Sequence, residues 1–273
     1  MMVKMPTAKS QVPRTFKRTQ PEKILTISIV SHGNATDVEQ LLSSLLLHEV
    51  VNRFQIIVTD NLGNDFPDSQ QENYVVIRNE QPRGFAHNQN NAFLHAEGEY
   101  FCVLNPDVVL VQSVFDQLIG RIASGQADIV APLVVDADGT VQDSFRNLPT
   151  PFELFRRRFM KQIHMSQLPT NNGLFSPDWV AGMFVLMKTD TYEQLGGFDE
   201  KYHLYFEDVD ICVRAKLYGI SLFVDTKAKI QHNAHRSSKK SLKYLFWHLK
   251  SASQFFLSDV YRQARKAKTK KLF

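Results

Sequence analysis

Glu207, Asp208 and Asp210 place three carboxylates within four residues, directly after the aromatic run Tyr202-His203-Leu204-Tyr205-Phe206. From Phe206 onward the apolar residues Phe206, Val209 and Val213, with Cys212 and Leu217 alongside, recur at helical spacing. Glu207 and Asp208 are therefore expected in the first turn of a helix with a buried face. One reading is structural: acids in a first turn complement the helix dipole, and Asp210 and Arg214 form an i,i+4 pair. The chemical reading makes Asp208 a general base aimed into a cleft. At that position the dipole is expected to hold its pKa down.

Other residues could serve such a base. Asp107 follows an apolar run and Asn105-Pro106, where a fixed carboxylate suits a hard divalent cation bridging phosphates. An Asx-type turn would explain it equally well. His232 ends another apolar run and is a possible second ligand, although a lone His is more often structural. Asp60 closes a strand-like run, where it could accept a base N–H or simply make a turn. Arg83-Gly84, with Asn88 and Asn91 following, offers cationic and amide donors at a helix start, suited to phosphate or sugar hydroxyls. An ordinary capped loop is the plain alternative.

The elements that must position these residues alternate. Strands are predicted at Ile24–Val30, Phe54–Thr59, Tyr74–Ile77, Tyr100–Leu104 and Asp128–Val135. Helices are predicted from a Thr36 cap to about His48, from the Arg83-Gly84 turn to about Ala96, and from about Gln112 to Ser124. Asp136-Ala137-Asp138-Gly139 reads as a hairpin turn. This alternation points to an open, mostly parallel α/β sheet, in which ligands bind beyond the carboxyl ends of the strands. That rule sets Ser31-His32, Asp60, Asn79–Gly84 and Asn105–Asp107 along one rim. The second half predicts a strand over Asp178–Met187, a short helix from Thr189 to Gly196-Gly197, and strands at Ser221–Val224 and Ala228–Gln231. A C-terminal helix has Leu242, Leu245, Phe246, Leu249, Phe255 and Phe256 on one face and lysines on the other.

The 273 residues suit one large domain or two small ones, and 43% hydrophobic content with 22% charge is enough for a buried core. Cys102 and Cys212 both lie in apolar segments and read as reduced core thiols. No run approaches a membrane span, and residues 1–23 have no apolar core of a secretory signal, so the cytoplasm is the expected compartment. The net charge of +4 conceals an asymmetry: residues 1–23 carry six bases and one acid, and residues 239–273 ten bases and one acid. The stretch between carries sixteen bases and twenty-six acids. Basic ends around an acidic centre suggest an anionic surface. Nucleic acid is disfavoured, because no basic sheet with interleaved aromatics is present. Glycine-rich nucleotide loops and thiolate zinc spacings are absent from the sequence.

Taken in order, Asp60-Asn61, Arg83-Gly84-Phe85-Ala86-His87-Asn88-Gln89-Asn90-Asn91, Asn105-Pro106-Asp107, Trp179-Val180-Ala181-Gly182, Gly196-Gly197-Phe198-Asp199-Glu200, Glu207-Asp208-Val209-Asp210 and His232 carry a specific resemblance. The chain resembles the family 2 inverting glycosyltransferases, in particular the bacterial O-antigen rhamnosyltransferase branch, over about Ile24 to Trp247. The resemblance implies a GT-A fold, with a Rossmann-like, mostly parallel sheet at 23–238, a flexible basic leader at 1–22 and a basic amphipathic helix at 239–273. It implies a nucleotide-diphosphate sugar donor, dTDP- or UDP-linked, with dTDP-rhamnose the leading candidate. It also implies a polyprenyl-diphosphate-linked saccharide acceptor at the inner face of an anionic cytoplasmic membrane. A UDP-sugar transferase and a non-catalytic nucleotide-sugar-binding relative are the alternatives. Asn105-Pro106-Asp107 stands where the family has Asp-x-Asp, leaving Asp107, with His232 or His235, as ligands of Mg2+ or Mn2+. Asp208 is implied as the base and Glu207 as its partner in placing the acceptor, beside Trp179. Ser31, His32, Asp60, Arg83, Gly84, Asn88, Asn91 and Asn105 are implied on the donor side, Asp60 against the pyrimidine.

Overall fold

In the computed structural model of the chain, β1 (Leu25–Ser31), β2 (Phe54–Asp60) and β4 (Tyr100–Leu104) are buried along nearly their whole length. Both faces are covered, so β4 is an unbroken apolar run, while β1 and β2 also bury the polar side chains of Thr26, Ser28, Gln55 and Thr59. The structure describes residues 23–63, 66, 73–154, 172–233 and 242–270. The expected basic leader and His235 lie outside the described residues.

The remaining elements are α1 (Ala35–His48), β3 (Tyr74–Arg78), α2 (Phe85–Leu94), β5 (Val108–Leu110), α3 (Phe115–Ala123), β6 (Ile129–Val135), β7 (Phe145–Arg146), β8 (Leu174–Phe175), β9 (Trp179–Val180), β10 (Phe184–Lys188), α4 (Thr189–Gln194), α5 (Glu207–Leu217), β11 (Leu222–His232), α6 (Leu242–Phe256) and α7 (Asp259–Thr269). The main sheet runs β3-β2-β1-β4-β10-β6-β11-β5, with β8 also on β11, and β7 pairs β9 separately. Strands β3, β2, β1 and β4 are mutually parallel. Strand β10 then enters antiparallel between β4 and β6. The sheet is therefore mixed, with β10, β5 and β8 running against the other six strands. Cores lie on both faces: α1 and α3 cover one through Leu41, Leu45, Phe115 and Leu118, and α2, α4 and α5 cover the other through Phe93, Tyr192 and Ile211. Each large side chain buried this way contributes about 1.5–3 kcal/mol.

Several expected boundaries move for identifiable reasons. Helix α1 begins after Asn34, not at a Thr36 cap; Asn34 bonds Asp37 through its amide and accepts the His32 N–H, while Thr36 is exposed in the first turn. Helix α3 starts at Phe115 because Glu49, at the end of α1, takes the Val114 and Phe115 N–H groups. The single strand expected over 178–187 is two, β9 and β10, divided by the Ala181–Met183 turn. Conversely, the two strands expected at 221–231 are one, β11, with a register shift between Asp225 and Lys229. The buried Asp225 carboxylate fastens that shift by accepting from Arg121 Nε at 2.7 Å, Gln117 and the Lys227 N–H.

The C-terminal segment is two helices rather than one, broken at Leu257, with Ser258 capping α7 through the Tyr261 N–H. Its supposed single apolar face is also divided. Phe255 is buried against Phe206 and Tyr261, whereas Leu242, Phe246 and Leu249 remain 83%, 64% and 57% exposed. Lys268 of α7 pairs with Asp178, which also meets Lys216 of α5. The described helices contain none long and apolar enough to cross a membrane.

Candidate active site

The rim is built by strand ends. Asp60, at the end of β2, is fully buried, and its carboxylate accepts the N–H groups of Leu62, Gly63 and Phe66. It shapes the loop, as the turn reading required. Beside it, Asn61 Oδ1 accepts the Arg83 N–H at 2.8 Å and the Asn79 amide at 2.7 Å. The oxygen being committed to donors, Asn61 Nδ2 must face Arg83 O and His32 Nδ1, at 3.0 and 3.1 Å. His32 Nδ1 is then an acceptor, and its Nε2 carries the proton on an exposed ring, ready to donate outward. Arg83 is exposed, its backbone clamped by Asn61, and its guanidinium has no partner among the described residues.

Two donor-side expectations change. Asn88 is fully buried and its Oδ1 accepts from Asn79, so it supports the Arg83 loop from beneath. Ser31 is buried with Oγ accepting the Asn34 N–H, and shapes the turn below His32. Asn91 lies half-buried within α2, three residues beyond Asn88 on the same side. Gly84 has a definite reason to be glycine: a Cβ there would lie 2.6 Å from His203 O. The Phe85 N–H donates to that same carbonyl at 2.9 Å. The Arg83 loop is thus pressed directly onto the aromatic run preceding α5.

Asp107 and His232 do meet. Strand β5 pairs antiparallel with the end of β11, His232 opposite Val108, which brings His232 Nε2 to 3.1 Å from Asp107 Oδ2. Gln142, just past the Asp136–Gly139 turn, fixes the imidazole. Its Nε2 donates to Asp136 Oδ1 and to His232 O, both acceptors, so its Oε1 must be the atom 2.8 Å from His232 Nδ1. Nδ1 therefore donates, and Nε2 faces a carboxylate oxygen. A proton on Nε2 satisfies that contact, and so does a cation held between the two. Among the described residues, Asp107 Oδ1 is also buried without a hydrogen-bond partner. The pair fits a divalent ion, although among the described residues no cluster of three or more such side chains occurs. Oxygen ligands from a diphosphate and water would complete the coordination. Asn105, half-buried, stands at the head of this turn.

Asp208 sits in the first turn of α5, as expected, and the expected Asp210–Arg214 pair forms at 2.6 Å. Arg214 continues to the carbonyls of Leu195 and Gly197, so the third acid of the cluster is structural. Asp208 accepts the Gly182 N–H at 3.2 Å and the Val209 N–H at 2.8 Å. Two residues before the helix, the backbone adopts a left-handed conformation at non-glycine positions, φ 69° at both Tyr205 and Phe206. Such strain concentrates at functional sites.

The dipole expectation for Asp208 is overturned. Burial raises its pKa, and the two N–H bonds only partly oppose this. Glu207 is raised well above the ordinary carboxylate range, by burial first and by the Asp208 charge second, and its Oε2 has no hydrogen-bond partner among the described residues. Glu207 thus holds a proton in the folded state that the unfolded chain would release. Stability must therefore fall as pH rises from the ordinary carboxylate range through the raised value. Thermal melts across pH 4–8 should show the wild type losing Tm relative to Glu207→Gln as pH rises; parallel curves would contradict this.

Trp179 is half-buried, its Nε1–H donating to Asn147 O, so it offers a ligand only part of its ring. The Asn105–Asp107 turn and Asp208 are tied through three residues: the Asn105 N–H donates to Met183 O, and Gly182, next along, holds Asp208. Asn61, Asn79, Gln142 and Gly182 are the residues that sequence reasoning passed over as site members. Asn61 and Gly182 lay inside the quoted motifs; Asn79 was placed on the rim only as part of a range.

The family model described as "Glycosyl transferase family 2" matches residues 26–188. Rhamnosyltransferase WbbL of Escherichia coli (strain K12) is 29% identical over 244 residues, covering 84% of this chain and 91% of that protein. N-acetylglucosaminyl-diphospho-decaprenol L-rhamnosyltransferase of Mycobacterium tuberculosis is 28% identical over 180 residues, 59% of this chain and 55% of that one. Among solved structures, GalNAc-T7 with UDP, GalNAc and Mn2+ superposes with a TM-score of 0.58 at 15% identity, covering 78% of this chain and 44% of that one. Mannosyltransferase PcManGT from Pyrobaculum calidifontis, in complex with GDP-Man and Mn2+, gives 0.55 at 14% identity, covering 89% and 64%. At those identities the superpositions establish the fold alone. The chain belongs to glycosyl transferase family 2, as a GT-A-type glycosyltransferase related to bacterial rhamnosyltransferases.

Proposed function

We propose that this enzyme transfers L-rhamnose, with inversion, from dTDP-rhamnose to a saccharide carried on a polyprenyl diphosphate during cell-surface polysaccharide synthesis. The carrying observation is the link from Asn105 through Met183 and Gly182 to Asp208. It sets a cation-binding corner and a partly buried carboxylate on either side of one short turn. A single in-line displacement needs that pairing: one base for the acceptor hydroxyl and one positive corner for the leaving diphosphate.

In this reading Asp208 takes the acceptor proton as the hydroxyl oxygen bonds to the anomeric carbon, and the bond to the diphosphate breaks with its electron pair leaving on oxygen. Glu207, kept neutral beside it, donates a hydrogen bond that places the acceptor. Arg83 and His32 Nε2–H bind the donor phosphates from the opposite rim. Mg2+ or Mn2+ held by Asp107 and His232 would offset charge on the diphosphate. The exposed stripe Leu242, Phe246 and Leu249, with the basic residues around it, suits an anionic membrane surface where a lipid-linked acceptor resides.

Gln142 holds His232 in its metal-facing tautomer. Gln142→Leu should weaken Mn2+ binding in the presence of dTDP by roughly ten- to a hundredfold, the usual scale for an orienting partner of a metal ligand. Electron paramagnetic resonance of free Mn2+ reads this directly, and unchanged affinity would remove Gln142 from that role. The function as a whole is tested by supplying a panel of nucleotide sugars with a diphosphate-lipid acceptor. Transfer from dTDP-rhamnose above all others is expected; preference for a UDP-sugar would replace the donor assignment.

A further inference from the structure

Helix α6 presents three stripes. Ser251, Ala252 and Phe255 are buried, and His248 turns inward with them, its ring 5.3 Å from Tyr205 and 5.5 Å from Phe206. Ser251 Oγ donates to Leu204 O. This stripe fastens α6 along the run that leads into Glu207 and Asp208. Leu242, Phe246 and Leu249 form the exposed apolar stripe on another side. Lys243, Trp247 and Lys250, at i, i+4 and i+7, form a third.

The third stripe faces the site. The Trp247 ring lies 4.6 Å from that of His203, the residue whose carbonyl holds the Arg83-Gly84 loop. Lys243 Nζ stands 4.7 Å over Trp247, and Tyr244 packs edge-on to the same ring at 5.4 Å. Among the described residues neither Lys243 nor Lys250 has a carboxylate partner. The His203 imidazole is held below its usual pKa by burial first, then by the charges of Lys243, Lys250 and His32. Lys243 and Lys250 of α6 and the His32 ring of the β1 rim therefore lie near the same imidazole. A flat aromatic ring beside two unpaired ammonium groups suits a sugar joined to a diphosphate.

We propose that Lys243, Trp247 and Lys250, with His203, form the subsite for the diphosphate of the lipid-linked acceptor. The ammonium groups take the phosphate oxygens and Trp247 lies against the first sugar. The acceptor hydroxyl then reaches Asp208, while the neighbouring stripe of Leu242, Phe246 and Leu249 follows the prenyl chain toward the bilayer. This rests on the reading that the acceptor is a diphosphate-linked lipid, as the substrate in the mycobacterial relative's name is.

The test compares two acceptors in detergent, an N-acetylglucosamine diphosphate bearing a short alkyl chain and the same alkyl glycoside without the diphosphate. The wild type should prefer the first. In Lys243→Gln/Lys250→Gln, both positions being exposed, KM for the diphosphate acceptor should rise roughly ten- to a hundredfold and the preference should collapse. The dTDP affinity should hold. Retention of the preference by the double variant would overturn the subsite. So would a double variant that loses only its binding to anionic phosphatidylglycerol vesicles, which would make the stripe a headgroup contact. Wild-type transfer to the glycoside but not to the diphosphate acceptor would overturn the acceptor reading itself, and the subsite with it.

Discussion

Replacing Asp208 by Asn is expected to lower kcat by at least about a hundredfold while leaving donor binding intact. Asparagine preserves the shape and its carbonyl keeps one of the Gly182 and Val209 N–H bonds, which fall on different Asp208 oxygens, but it cannot take a proton. General-base removal is typically worth roughly a hundred- to ten-thousandfold, and a hundredfold is about 2.7 kcal/mol of barrier. A residue that merely held the Gly182 turn would lose far less on this exchange, so the size of the effect separates the two roles. The pH profile adds a second check. Burial raises the Asp208 pKa, and the base must be ionised, so activity should fall with acid at a pH above the ordinary aspartate range. Wild-type kcat in the variant would remove Asp208 from the chemistry.

Asp107→Ala is expected to abolish turnover and to weaken donor binding together. The substitution removes both the oxygen facing His232 and the buried oxygen that has no partner of its own. Wild-type activity should likewise vanish in excess EDTA and return with Mg2+ or Mn2+. Calorimetric titration of dTDP with and without Mn2+ distinguishes this from a folding defect: the variant should still bind dTDP weakly, and Mn2+ should no longer improve it. Full wild-type activity in EDTA would contradict the cation-binding role of this corner.

What could be read beforehand follows the range over which each signal acts. The buried parallel strands were legible because a strand covered on both faces is rich in apolar and β-branched residues, as Ile56–Val58 and Tyr100–Leu104 are. The antiparallel insertion of β10 was not, because Phe184–Lys188 shows the same apolar run whichever way it pairs. Strands β5, β7 and β8, of two or three residues, are too short to show a period. In the site, Asp107, His232 and Asp208 stood out by residue type at strand and helix ends. Asn88 was misjudged because an amide on a helix reads alike whether it faces a ligand or supports a loop. Gln142 gave no local signal, since its role exists only where a hairpin meets the end of β11. The Asp208 pKa was misjudged in sign because the dipole is visible in sequence and the depth of burial is not.

The most direct test of the central claim is proton NMR of the reaction of this protein with dTDP-rhamnose, Mg2+ and a diphosphate-lipid acceptor, followed at the anomeric signals. The account predicts stoichiometric release of dTDP and a single new glycoside with anomeric configuration inverted relative to the donor. A product that retains the donor configuration would contradict one-step displacement with Asp208 as base.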